Sequence, residues 1–96
     1  MNNILYLGDN EIGKCTSVIL DDVSSTNILL FKDSNDNDVK FRMEDDLKLL
    51  TKSFSFEGMR KDKDVKCRTQ TVGRCLEIYV STNTFVELYN YFNKEI

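Results

Sequence analysis

Val65-Lys66-Cys67-Arg68-Thr69-Gln70-Thr71-Val72-Gly73-Arg74-Cys75-Leu76-Glu77-Ile78-Tyr79-Val80 is the stretch on which the fold turns, because it reads as two alternating strands around one glycine. With Val72-Gly73 at the hairpin tip and Thr71 opposite Arg74, Cys67 lies opposite Ile78, Thr69 opposite Leu76 and Val65 opposite Val80, all on one face. The other face pairs Arg68 with Glu77 and Lys66 with Tyr79. A one-residue slip mixes the two sets, so the alternation sets which side meets the core.

Immediately downstream, Thr84-x-x-Glu87 matches a capping box ahead of Phe85, Leu88, Tyr89 and Phe92 at helical spacing. This predicts a C-terminal helix that lays Phe85, Leu88 and Phe92 on the sheet. Tyr89 and Tyr91 fall on its neighbouring faces, with Tyr91 a candidate exposed contact.

Upstream, short apolar runs alternate with polar turns: Ile4 to Leu7, Cys15 to Leu20, Ile28 to Phe31, and the alternating Val39, Phe41 and Met43. These predict a four-strand meander. Met43, Leu47, Leu50 and Phe54 then fall on one helical stripe, which predicts a helix from Glu44 to about Lys52. Phe54 and Phe56 resume a strand, and Lys61-Asp62-Lys63-Asp64 reads as a turn. The chain is thus expected to be one α+β domain over residues 1–96, with about seven mostly antiparallel strands in two meanders and one helix after each. That count resembles a pleckstrin-homology-type barrel in topology, without a matching motif; a sheet with both helices on one side is the alternative.

The composition narrows the chemistry. There is no alanine, proline, histidine or tryptophan and only four glycines among 96 residues, while Asn, Lys, Asp and Ile recur. Alanine and glycine are ordinarily among the commonest residues, so their shortage points to an AT-rich genome, that of a phage, virus or mobile element of a low-GC host or of such a host itself. Without histidine the usual general base and the commonest metal ligand are missing. The start of the chain lacks the basic and apolar regions of a signal peptide, and no run approaches the ~20 apolar residues of a membrane span. Cys15, Cys67 and Cys75 are odd in number and lack CxxC spacing, which argues against a disulfide framework or zinc knuckle. A cytoplasmic location in a host cell is the expectation.

Two segments nearly match known sites. Gly8-Asp9-Asn10-Glu11-Ile12-Gly13-Lys14-Cys15 resembles a phosphate-binding P-loop, but Cys15 replaces the hydroxyl that holds magnesium and the following residues read as a strand. The window from Asp33 to Glu44 resembles a calcium-binding EF-hand loop through Asp33, Asn35, Asn37 and Glu44, yet Asp38 stands where the sharp turn needs glycine. A polar tip between two strands explains the same residues. Arg60, Lys61, Lys63, Lys66, Arg68 and Arg74 form a basic stretch, diluted by Asp62 and Asp64 and without an aromatic stacking platform, so direct nucleic-acid binding is not expected.

The net charge of −3 hides an asymmetry: residues 1–48 carry −5 and residues 49–96 carry +2. Clustered like charge steers encounter with an opposite surface. The resulting expectation is a small non-enzymatic binding protein, encoded by a phage or mobile element, that inhibits or modulates a host macromolecule, as an anti-defence inhibitor or immunity protein does. Asp21, Asp22, Asp33, Asp36, Asp38, Asp45 and Asp46 are the candidates to meet a basic host surface. No catalytic residue, metal or cofactor is expected. The alternatives are a ligand-binding module for a nucleotide, phosphate or calcium, and a structural protein that self-assembles through an edge strand.

Overall fold

The computed structural model describes residues 3–7, 10–15, 17–21, 28–33, 35–56 and 65–93. They form a small α+β domain, mostly strands with one helix. Its elements are β1 (Asn3–Leu7), β2 (Asn10–Cys15), β3 (Ser17–Asp21), β4 (Ile28–Lys32), β5 (Asp38–Met43), β6 (Lys52–Phe56), β7 (Val65–Val72), β8 (Cys75–Val80) and α1 (Thr82–Asn93). A single 3-10 turn, Leu47–Leu49, lies between β5 and β6. Among the described residues no helix is long and apolar enough to cross a membrane.

The strands make one mixed sheet in the order β2-β1-β6-β7-β8-β5-β4-β3. All neighbours are antiparallel except β5 and β8, which run parallel. Two features curl this sheet into a half-barrel. Residues 65–67 of β7 pair with β6, whereas residues 68–72 pair with β8, so β7 passes from one half of the sheet to the other. The two edge strands, β2 and β3, are separated in sequence by one residue. Consecutive Cα atoms are about 3.8 Å apart, so Cys15 and Ser17 lie within ~7.6 Å and the far edges of the sheet must meet at that corner.

The core lines the concave side. Leu5, Leu29, Phe31, Val39, Phe41, Phe54, Cys67, Ile78, Val80, Phe85 and Leu88 are buried together. Phe41 is central: its ring lies 5.3 Å from that of Phe31 and 5.2 Å from that of Phe54, both tilted, the arrangement that aromatic quadrupoles favour. Phe85 and Leu88 bring α1 against β3 and β5, as the apolar spacing predicted. Phe92 lies outside the residues whose side chains are described.

Several expectations are corrected. Among the described residues there are eight strands rather than about seven, the additional one being β2, whose Asn-Glu-Ile-Gly-Lys-Cys composition hides it from an apolar-run reading. The strands do not form two meanders. β1 pairs with β2 and β6, β3 to β5 form a meander of their own, and the parallel β5–β8 contact joins the halves. The resemblance to a pleckstrin-homology-type barrel, which rested on the count of about seven strands and a C-terminal helix, is not reproduced.

The expected helix over Glu44 to Lys52 is only the 3-10 turn, and Phe54 belongs to β6. Residues 44–51 must carry the chain from β5 past β8 and β7 to β6, about 14 Å at ~4.8 Å per strand. Eight helical residues would rise only ~12 Å. The last helix starts earlier than the capping box implied: the Ser81 hydroxyl accepts the Thr84 amide at 3.2 Å, and the Phe85 amide donates to the Ser81 carbonyl at 2.9 Å.

The β7–β8 hairpin has the expected faces in a register shifted by two. Val72 pairs with Cys75, Thr69 with Ile78 and Arg68 with Tyr79. Its turn residues are Gly73, with φ of +61°, and Arg74, whose φ is not positive, the pattern of a II′ turn. A tip at Val72-Gly73 would have forced positive φ on a β-branched residue. The Lys61 to Asp64 turn lies outside the described residues.

Candidate interaction surface

The outward positions of β5, β8 and β7 carry the densest polar cluster. Lys40, Glu77 and Gln70 share one row across the three strands, and Arg42, Tyr79 and Arg68 the next. Glu77 is only 9 % exposed despite facing outward. It accepts from Arg42 at 3.5 Å, from Gln70 at 3.3 Å and from the Tyr79 hydroxyl at 3.2 Å. The Arg68 guanidinium lies 3.9 Å from the Tyr79 ring centroid, with Arg42 at 5.9 Å. Arg68 Nε also donates to Glu44 at 3.0 Å. The charges on this face therefore largely compensate one another, and their arrangement braces the parallel β5–β8 contact.

Glu44 ties that cluster to the turn above it. Its amide extends the parallel ladder by donating to the Val80 carbonyl at 2.7 Å. Its carboxylate accepts the Asp46 amide at 3.3 Å, and that bond, followed by Arg68, holds the carboxyl below its usual range. Asp46 in turn accepts the Lys48 amide at 3.1 Å, and the amides of Leu49, Leu50 and Thr51 donate to carbonyls within the turn. Leu50 points inward and is 9 % exposed, whereas Leu47 and Leu49 are 63 % and 46 % exposed. A turn braced by its own hydrogen bonds thus presents two leucines to solvent beside the exposed Asp45 and Asp46. The helical stripe had assigned Leu47 to the core. The span from β5 to β6 that rules the helix out follows from the strand order and has no local sequence signal.

The six candidate acids among the described residues do not converge on one surface. Asp33 organises the β4–β5 loop: its carboxylate accepts the amides of Asn35 at 2.8 Å and Asn37 at 2.9 Å, with Asp36 at a φ of +65°. Asp38 lies 2.6 Å from the Lys32 ammonium, a contact that lowers the Asp38 carboxyl and raises the Lys32 amine. Asp45 and Asp46 stand beyond the opposite end of β5, roughly 17 Å or more away at ~3.4 Å per residue. Asp21 ends β3 opposite Ile28, toward that same end, and Asp22 lies outside the described residues. The acids thus divide between a loop end and a turn end.

The same geometry separates the near-motifs into their parts. Glu44 is engaged with Arg68 and Asp46 at the far end of β5 from Asp33, so the EF-hand-like window is a hairpin loop followed by a strand. Residues Asn10–Cys15 form β2, where a P-loop requires a helix N-terminus. Among the described residues no three His, Cys, Asp or Glu side chains gather as metal ligands would. Of the basic stretch, Arg60, Lys61 and Lys63 lie outside the described residues, Arg68 is committed to Glu44 and Tyr79, and Arg74 is exposed at the hairpin tip. Tyr91, a candidate exposed contact whose commoner alternative is a half-covered ring, is half-buried and packs with Tyr89 against the core.

An open cleft of about 400 Å³ lies between the β4–β5 loop and the β7–β8 turn, lined by Lys32, Asp36, Asp38, Arg74 and Cys75 among others. Burial raises the Cys75 thiol there, and pushes the fully buried Cys67 up to about 11. Comparison of the chain with protein-family models, with curated proteins and with solved structures finds no match.

Proposed function

We propose that this chain is a small non-enzymatic binding protein that inhibits or modulates a host macromolecule by docking its Asp45–Leu49 turn into a protein partner. The observation that supports this reading is the pair of exposed leucines on a hydrogen-bonded turn flanked by Asp45 and Asp46. A rigid apolar projection loses little conformational freedom on binding, and acids at its base favour a partner pocket with a basic rim. The composition, poor in alanine and glycine, adds a phage or mobile element of an AT-rich genome as the source. The test is quantitative capture from a low-GC bacterial lysate, with the intact chain and a Leu47→Ser/Leu49→Ser variant as baits. A protein retained about 10-fold or more by the intact chain, and released by raised salt, supports the reading. Equal retention by both baits overturns it.

A second reading, a ligand-binding module, draws on the cleft beside Arg74. Its mixed charge suits a small polar ligand, and calorimetry with ATP, GTP and calcium separates the two. Heat with any of these, lost in Arg74→Ala, favours the module.

A further inference from the structure

The two edge strands differ in how they are finished. In β2 the register jumps between Leu5 and Tyr6 of its partner: Leu5 pairs with Gly13 and Tyr6 with Glu11, leaving Ile12 as a bulge. A bulge, a glycine and the charges of Glu11 and Lys14 all discourage a further strand. β3 has neither bulge nor glycine, and its one charged residue, Asp21, is its last. Its five residues, Ser17-Val18-Ile19-Leu20-Asp21, pair without interruption to β4 and have no other strand partner among the described residues. Val18 and Leu20 are opposite the buried Phe31 and Leu29, and Ile19 is opposite the half-buried Leu30.

From this contrast we infer that β3 is a self-association strand whose occupant is β3 of a second copy, antiparallel about a two-fold axis through Ile19. A two-fold axis normal to a sheet keeps each face on the same side, so symmetric antiparallel pairing must centre on a residue rather than between two. Centring on Ile19 uses all five residues. It sets Val18 against Leu20 of the second copy and Ser17 against its Asp21, with the two Ile19 residues facing each other. Asp21 is the only charged residue of the strand, and this register holds the two copies of it about 14 Å apart, beyond the ~8–10 Å screening length. A parallel pair would instead place them side by side. The β4 residues Ile28 and Leu30, both half-buried, would extend the apolar contact. The dimer would carry two Asp45–Leu49 turns, but it does not depend on their role.

Sedimentation equilibrium of the full chain from about 10 µM to about 500 µM tests this, reading for a doubling of the 11.2 kDa chain mass. Ile19→Lys sets two like charges together at the axis and should weaken association about 10-fold or more. Ser17→Lys places a cation beside Asp21 of the second copy twice, and should tighten association several-fold. Circular dichroism checks that each variant is folded; should Ile19→Lys unfold, Ser17→Lys carries the test alone. Association that shifts in these directions supports the pairing. A monomer throughout the range, or a dimer indifferent to the folded variants, overturns it.

Discussion

Arg68 and Tyr79 are directly paired across the β7–β8 ladder, with the guanidinium carbon 3.9 Å from the ring centroid and Nε donating to Glu44. One side chain thus braces the hairpin, the parallel strand contact and the turn over residues 44–51. Arg68→Ala is expected to cost about 1–2 kcal/mol by denaturant unfolding, from the lost cation–π contact and charge-assisted hydrogen bond. Arg68→Lys should recover less than half, because an ammonium cannot both stack and donate in a planar fork.

Acid should weaken the fold through Glu44 and Asp38. Both carboxyls are lowered from their ordinary values of 4.5 and 3.8, so the stability they contribute is present above those values and is lost as pH falls through the depressed ones. Lys32 is raised above 10.5, so its contribution is present below that value and is lost as pH rises through the raised one. Melting temperature followed against pH should fall on both limbs, and Glu44→Gln should flatten part of the acid limb. An acid limb unchanged in that variant contradicts the assignment.

Gly73 has φ of +61°, and a Cβ built on it meets nothing within 4 Å. Any cost of substitution there is conformational, not steric. Gly73→Val should destabilise by about 1–2 kcal/mol, whereas Gly73→Asn, which tolerates positive φ, should cost less than half of that. Chemical denaturation of the two variants measures the difference.

Leu47 and Leu50 distinguish a turn from a helix. In the turn Leu50 is buried and Leu47 is 63 % exposed, so Leu50→Ala should cost about 2–3 kcal/mol and Leu47→Ala less than ~0.5 kcal/mol. Comparable losses at both positions would restore the amphipathic helix.

Cysteine reactivity should follow burial. Alkylation at about pH 8 with peptide mapping should leave Cys67, at about 11 and fully buried, unmodified until the protein unfolds. Cys75, half-buried and raised less, should react first of the two. Early labelling of Cys67 would mean that β7 opens locally.

How far the fold was legible depends on which interactions are local. The faces of β7 and β8 follow from the alternation of Cys67, Thr69, Ile78 and Val80 with Arg68 and Glu77, because a strand has a period of two. The register does not, since a shift by two preserves the faces; the positive φ of Gly73 decided it. The helical stripe through Leu47 and Leu50 is genuine in the sequence, yet the distance from β5 to β6 leaves no room for that helix. Asp33, Asn35 and Asn37 were legible as turn formers, because an aspartate accepting nearby amides is a local contact.

By itself, the sequence determined which residues are apolar on which face of β7 and β8, that Asp33 to Asn37 turns the chain, and that the chain carries no histidine. Only the tertiary structure decided that β5 lies parallel to β8, that the edge strands meet across one residue, and that the six described candidate acids divide between two ends. Alternation and turn formation act over a few residues and are written into neighbouring side chains. Strand order and the convergence of distant charges depend on how the whole apolar surface is buried at once, and β2, whose composition shows no apolar run, is placed by pairing with β1 rather than by its own pattern.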